Sequence, residues 1–228
     1  MELLGYRQNR PLLIALSSFF TEVELRRAFP GLAALAVRII ICGKGGTGPI
    51  EKKYCDIAMS VSNSEIKTAQ ELYTALKTIV PSDQEFQSAF TTLTASNNNI
   101  ARYYLREINT KLTSPGNKYG AELIVNPSEE QVTLEHIMPQ TLSKDWKVKE
   151  EVKKDYCKRI GNLTLLDRKL NSSAGNVPFE QKKALFSKSD ILITREVAQA
   201  VTWGPEEIEQ RQVAFAKIAI KIWDPKPA

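Results

Sequence analysis

Apolar side chains recur three and four positions apart through most of the first 112 residues, the spacing that places them on one face of a helix. The first such face begins after Pro11, a residue favoured at helix starts. Thr68 and Ser82 stand where helix N-caps are expected, and Glu85 completes a capping box behind Ser82. The pattern predicts a helical array over residues 1–112, with helices within residues 1–30, 50–63, 68–80, 82–94 and 97–112.

Two stretches of this first part allow more than one interpretation. The apolar run from Leu32 to Cys42 fits a strand or a buried helix, because periodicity does not separate the two over so short a length.

The glycine-rich segment Gly43–Gly48 follows this run and resembles a phosphate-binding loop in composition. Pro49 stands where such a loop carries its lysine, and proline offers neither a charge nor a backbone donor. We therefore favour a flexible loop, and a nucleotide hydrolase is excluded.

Residues 101–108 combine arginines with aromatic side chains that could grip a nucleic acid. Tyr104, Leu105 and Ile108 also form an ordinary buried stripe at helical spacing, and we favour that interpretation. The segment is therefore expected to pack in the core.

The pattern changes at residues 113–120, which are rich in turn-forming residues. We place a linker at residues 113–131 and a second domain at residues 132–228. Alternation predicts strands at residues 132–137 and 163–166, and the charged stretch 144–159 between them is predicted to be helical. Trp146, Val152 and Tyr156 are candidates for its buried side, and a long helix is predicted from Pro205 to Trp223.

Composition narrows the possible functions only slightly. A net charge of +5 favours polyanionic partners without proving one. Three cysteines without a C-x-x-C spacing indicate neither a disulfide framework nor a structural zinc site. No run of eighteen apolar residues occurs, and the N-terminus lacks the arrangement of a signal peptide. We expect a cytoplasmic protein without a membrane span.

The polar residues around His136 suggest a reaction. His136 is the only histidine in the 228 residues, Glu135 precedes it, and asparagines follow at positions 162, 171 and 176. An imidazole that titrates near neutrality can deprotonate water, and carboxylate and amide oxygens can hold a hard divalent cation. Hydrolysis of a phosphodiester needs these two parts.

Three segments resemble a known group of nucleases. Glu135-His-Ile-x-Pro139, then Gly161-Asn-Leu-Thr-Leu-Leu166, then Asn171 nine positions after Asn162 are similar to the HNH (His-Me finger, ββα-metal) nucleases. The closer resemblance, over about residues 130–223, is to the C-terminal nuclease domain of GmrSD-type modification-dependent restriction enzymes, and it includes Pro178-Phe-x-x-Lys182. It implies a mainly α fold with a small ββα-metal element, a helical N-terminal array followed by the HNH nuclease domain.

The same resemblance implies a function and a role for each matching residue. The chain is expected to be a divalent-metal-dependent DNA endonuclease of a phage-defence or restriction system. His136 would activate water, Asn162 would hold the loop beside it, and Glu135 with Asn171 would bind Mg²⁺ or Mn²⁺. Asn176 remains an alternative to Asn171, which has the better spacing from Asn162. The candidates for contacts to the DNA backbone, largely independent of sequence, are Lys182, Arg168 and Arg159.

Two further implications concern partners and alternatives. Members of the GmrSD type carry a ParB-like N-terminal domain, and its signature is not seen here, so that partner would be a missing domain or a separate subunit. Glutamate and asparagine stand where many HNH proteins have aspartate or histidine. This departure from the family pattern bears on which cation the site uses. The alternative function is a noncatalytic DNA- or protein-binding module that retains an HNH-like shell.

Overall fold

The chain forms two compact units in a computed structural model, which describes residues 3–46, 48–95, 97–113, 131–144, 146 and 148–227. The first unit comprises residues 1–90 with 219–228, and the second comprises residues 91–218. Residues 114–130, most of the predicted linker, lie outside the described residues. The predicted domain division at residues 113–131 therefore stays a prediction.

The first unit is helical, as the apolar spacing predicted. Its helices are α1 (Arg10–Phe19), α2 (Glu22–Ile41), α3 (Gly48–Ser62), α4 (Ala69–Leu76) and α5 (Asp83–Phe90), with a 3-10 turn at Lys77–Ile79. The run that begins at Leu32 is the second half of α2, so the buried helix is the correct alternative, and most of its side chains are buried. Thr68 and Ser82 cap α4 and α5, and the carboxylate of Glu85 accepts a hydrogen bond from the Ser82 amide, as predicted.

Arg38 of α2 is a buried cation in the core of this first unit. Its guanidinium donates to the carbonyl oxygens of Trp223 at 2.5 Å and Pro81 at 3.0 Å, and it pairs with Asp83 at 2.6 Å. These contacts satisfy the charge and its donors, which is the condition for burying an arginine. Arg38 thereby ties the end of the chain to α2 and α5.

The second unit contains a small antiparallel sheet among helices. Strand β1 (Val132–His136) pairs with β2 (Leu163–Asp167), with Glu135 opposite Thr164 and His136 opposite Leu163. Two 3-10 turns lie at Ile160–Asn162 and Glu196–Gln199. The helices are α6 (Asn98–Thr113), α7 (Glu150–Tyr156), α8 (Arg168–Ala174), α9 (Phe179–Phe186), α10 (Leu192–Arg195) and α11 (Pro205–Ile222), the last as far as residue 218.

Helix α6 belongs to this second unit, although the sequence pattern grouped it with the N-terminal array. It packs against both strands, and Tyr104, Leu105 and Ile108 are buried as predicted. Its Arg102 donates to the carbonyl oxygen of Val132 at 2.7 Å. The apolar stripe predicted the burial of α6 but not the element that it covers.

The fold is mainly α with a two-stranded antiparallel sheet, as the sequence predicted. Helix α7 is shorter than the predicted span 144–159, and Trp146 is buried outside it, with its indole nitrogen donating to the carbonyl oxygen of Val177 at 3.1 Å. Within the described parts of the chain, none of the helices combines the length and the apolar character needed to cross a membrane.

Gly161 is expected to tolerate no side chain. A Cβ atom at this position would overlap the carbonyl oxygen of Ile208 in α11 and crowd the Cβ of Gln212. We predict that Gly161→Ala lowers the free energy of unfolding by about 1–3 kcal/mol, the usual cost of overpacking, in urea denaturation. Gly204→Ala is the matched control, because its Cβ would lie at an ordinary 3.7 Å from Glu207. Equal losses in the two variants would contradict the prediction.

Candidate active site around the lone histidine

His136 is the last residue of β1, and the chain turns sharply inward after it. Its side chain is half-buried, whereas the following Ile137 and Met138 are completely buried. The apolar pair anchors the chain on the interior side, because moving it outward would expose two large side chains to water. The imidazole is therefore held at the rim of the unit by the residues that follow it.

Asn162 fixes this turn by hydrogen bonds from a fully buried amide. Its Oδ1 accepts from the Met138 backbone at 2.8 Å and from the Trp203 indole at 3.0 Å. Its Nδ2 donates to the carbonyl oxygens of Met138 and Cys157, each at 2.9 Å. Its own carbonyl accepts from Ile137 at 2.9 Å. The side chain uses both of its donors and both acceptor directions, which matches a positioning role beside His136.

Arg211 of α11 holds the backbone on both sides of Asn162. Its Nη1 donates to the carbonyl oxygens of Gly161 at 2.8 Å and Leu163 at 2.7 Å, and its Nη2 donates to the carbonyl oxygen of Ile193 at 3.0 Å. Arg211 was not predicted from the sequence. Its position three residues after Ile208, on the buried face of the long helix, was the available signal.

Gln140 is a second residue of the site that was not predicted from the sequence. Its amide nitrogen lies 3.1 Å from Nε2 of His136. Because an amide nitrogen only donates, Nε2 accepts this hydrogen bond and the proton of the neutral ring is on Nδ1. Gln140 is exposed and stands four residues after the histidine, immediately beyond the turn-forming Pro139.

The imidazole is neutral at physiological pH. Burial, together with the positive charges of Lys182 and Lys158, lowers the pKa of His136 to about 4. A general base must be unprotonated before it acts, and this environment meets that condition, although it makes the base weaker than an ordinary histidine.

Glu135 and Lys182 form a buried ion pair beside the histidine. Nζ of Lys182 lies 2.5 Å from Oε1 of Glu135 and donates to the carbonyl oxygen of His136 at 2.7 Å. Lys182 is 0% exposed and Glu135 is 7% exposed. Burial raises the pKa of Glu135, and the charge and hydrogen bond of Lys182 oppose that effect.

This geometry corrects the expectation that Lys182 contacts DNA. A fully buried ammonium that is paired with a carboxylate is not presented to a duplex. Arg168, by contrast, is exposed at the start of α8, and Arg159 is half-buried, with its guanidinium 5.3 Å from the centre of the Tyr156 ring. The roles of Arg168 and Arg159 stay predictions.

Asn171 lies on α8 and contacts the strand that carries Glu135 and His136. Its Nδ2 donates to the hydroxyl of Thr133 at 2.6 Å and to the carbonyl oxygen of Leu134 at 3.2 Å. Both hydrogen bonds are donated by the amide nitrogen, so the amide oxygen takes part in neither of them. Asn176, the alternative ligand, is exposed beyond the end of α8.

The donors fit a hard divalent cation in kind. A carboxylate and an amide oxygen are ligands that Mg²⁺ accepts, with waters and substrate oxygens completing its shell. Among the described residues, no group of three or more His, Cys, Asp or Glu side chains is placed to hold a metal ion. A cation here would therefore have few protein ligands. The carboxylate among them, Glu135, is already paired with the ammonium of Lys182.

The fold and the site together define a mainly helical domain whose small antiparallel sheet presents one histidine, held by a buried asparagine. The family model described as GmrSD restriction endonucleases, C-terminal domain, matches residues 80–218, more than half of the chain. The chain belongs to this family, which confirms the resemblance to GmrSD-type enzymes and supports a nuclease function in restriction. None of the curated proteins compared with the chain matches it.

The lone histidine makes the tautomer directly measurable. In protein labelled with ¹⁵N-histidine, we predict one imidazole with a protonated Nδ1 and an unprotonated Nε2 at pH 7, because Gln140 donates to Nε2. Gln140→Ala should shift both nitrogen resonances toward those of a mixture of tautomers. A protonated Nε2 in the unaltered protein would contradict the orientation of the Gln140 amide.

Proposed function

We propose that the second unit is a divalent-metal-dependent DNA endonuclease of the HNH (His-Me finger) type, acting in a restriction or phage-defence system. The placement of His136 is the observation that carries the proposal. It ends β1 of an antiparallel pair, its following turn is fixed by Asn162, and Asn171 of the next helix contacts the same strand. Membership of the restriction endonuclease family supports the reaction class.

In this proposal His136 is the general base. Its Nε2 carries the lone pair that accepts from Gln140, and a water that takes the place of this amide would donate its proton to the same atom. Asn162 acts through the backbone after His136, so it is a positioning residue. It prevents the ring from drifting away from the attacking water, and small misplacements of this kind are costly.

Glu135 and Asn171 would hold Mg²⁺ or Mn²⁺, with water and phosphate oxygens as further ligands. When bound, such an ion supplies stabilisation of the negative charge that develops on the phosphate and the departing oxygen. The ammonium of Lys182 balances the charge of the Glu135 carboxylate.

DNA is the proposed partner, through contacts to its backbone that are largely independent of sequence. Arg168 is the best placed of the predicted contacts, because it is exposed on the helix that also carries Asn171. Sensing of a DNA modification would fall to a ParB-like domain or subunit outside this sequence. The proposed location of the protein is the cytoplasm.

One observation favours the alternative, a noncatalytic DNA- or protein-binding module. The carboxylate proposed as a metal ligand is already neutralised by Lys182. A module of this kind would bind DNA and leave it intact with either metal, so cleavage assays distinguish the two functions.

We predict that His136→Ala reduces nicking of supercoiled plasmid in Mg²⁺ or Mn²⁺ by about 10²–10⁴-fold, the usual contribution of a general base. The fold should be retained, because the side chain is half-buried and its hydrogen bond is to the exposed Gln140. Circular dichroism checks the fold. Cleavage by the variant at the rate of the unaltered protein would remove His136 from the mechanism.

The two proposed ligands generate a separate prediction. Glu135→Gln and Asn171→Ala should each reduce cleavage, with partial recovery at raised Mn²⁺ because the loss is one of metal affinity. Asn176→Ala is the control and should cleave like the unaltered protein, since this residue is exposed beyond α8. Excess EDTA should abolish cleavage. Full activity in EDTA, or a loss confined to Asn176→Ala, would refute the ligand assignment.

A further inference from the structure

Lys182 occupies a position that is unusual for a lysine in a helix of a small domain. It is completely buried on the inner face of α9, one turn before the equally buried Phe186. Lysines are seldom fully buried without a partner, because removing an ammonium from water is costly. Glu135 and the carbonyl oxygen of His136 are its partners, at 2.5 Å and 2.7 Å.

The next residue on the same helix provides a comparison. Lys183 is half-buried, and its ammonium lies 3.5 Å from the exposed carboxylate of Glu180, one turn away on α9. That pair is local and solvated, so water compensates both charges if it breaks. The pair of Lys182 with Glu135 joins α9 to β1 across 47 positions of the sequence, and water has little access to it.

We propose that Lys182 is an internal counter-ion that competes with a divalent cation for Glu135. The proposal rests on the proposed function, in which Glu135 is a metal ligand. A single carboxylate carries one negative charge, and the ammonium already balances it. A divalent cation at the same oxygens would stand close to a like charge in a poorly solvated site, where repulsion is strong. The cation therefore binds to Glu135 only as the ammonium leaves it.

The second contact of Lys182 links this exchange to the general base. Its ammonium also holds the carbonyl oxygen of His136, so leaving Glu135 requires it to move relative to the backbone of the catalytic residue. Lys182 is thus a positioning residue in the metal-free protein. Its two contacts keep the carboxylate neutralised and β1 in place before a cation arrives.

The test measures metal binding without DNA and without cleavage. Mn²⁺ is titrated into the whole 228-residue chain, and the free ion is followed by electron paramagnetic resonance. Lys182→Met removes the charge and keeps most of the length of the side chain. We expect it to lower the Kd for Mn²⁺ about 10-fold or more, the scale on which residues beside metal ligands affect affinity. Lys183→Met, the matched control, should leave the Kd unchanged.

A double variant tests whether the tighter binding of Mn²⁺ depends on the carboxylate of Glu135. In Glu135→Gln/Lys182→Met the tighter binding should disappear, because the released ligand is no longer charged. A folded Lys182→Met variant that binds Mn²⁺ no more tightly than the unaltered protein would overturn the proposal. Tighter binding that persists in the double variant would overturn it as well.

A measurement on the unaltered protein keeps the proposal testable if Lys182→Met does not fold. Reductive methylation followed by peptide mass spectrometry reports the exposure of each lysine. Lys182 should be protected without metal and should become reactive at saturating Mn²⁺, whereas Lys183 should react equally in both conditions. Unchanged protection of Lys182 at saturating Mn²⁺ would overturn the proposal. Plasmid cleavage that EDTA abolishes would still support the proposed function in that case, so the two failures are distinguishable.

Discussion

The buried amide of Asn162 is the constraint on which the candidate active site depends. Its four side-chain hydrogen bonds join the turn after β1, the end of α7 and the indole of Trp203. A buried amide of this kind has no alternative partner in water, so losing one bond leaves a polar group unsatisfied. These bonds therefore fix the turn, and the turn positions the imidazole of His136.

The sequence was sufficient to predict most helices, because apolar spacing and capping residues are local signals. Thr68 and Ser82 illustrate this, since each cap is completed within three residues. The motif around His136 and Asn162 was also recognisable in the sequence. The family match confirms the resemblance to GmrSD-type enzymes that this motif indicated. The segment from Leu32 to Cys42 was not decidable, because a helix buried on nearly all sides lacks a polar face.

Contacts between distant residues escaped prediction. Lys182 was interpreted as a surface cation because the sequence does not show that Glu135 lies within 2.5 Å of it, 47 positions away. Arg211 was missed because its partners are also distant in the sequence. It donates to the backbone carbonyl oxygens of Gly161 and Leu163, and every residue has such an oxygen, so the sequence does not mark them as partners. Helix α6 was grouped with the N-terminal array because its buried face was predicted without the strands that it packs against. The spacing of apolar residues predicts which face of a helix is buried, but it does not identify the element that packs against that face.

The side chains that fix the turn after His136 and neutralise Glu135 come from later parts of the chain, and this order matters while the protein is being made. The histidine is synthesised before Asn162, Lys182, Trp203 and Arg211, which fix its turn and neutralise its neighbour. A nascent chain that ends before residue 211 lacks part of this framework, and domains generally fold as units. The ribosome therefore releases nearly all of the second unit before the site can assemble, which delays any nuclease activity until translation of the unit is almost complete.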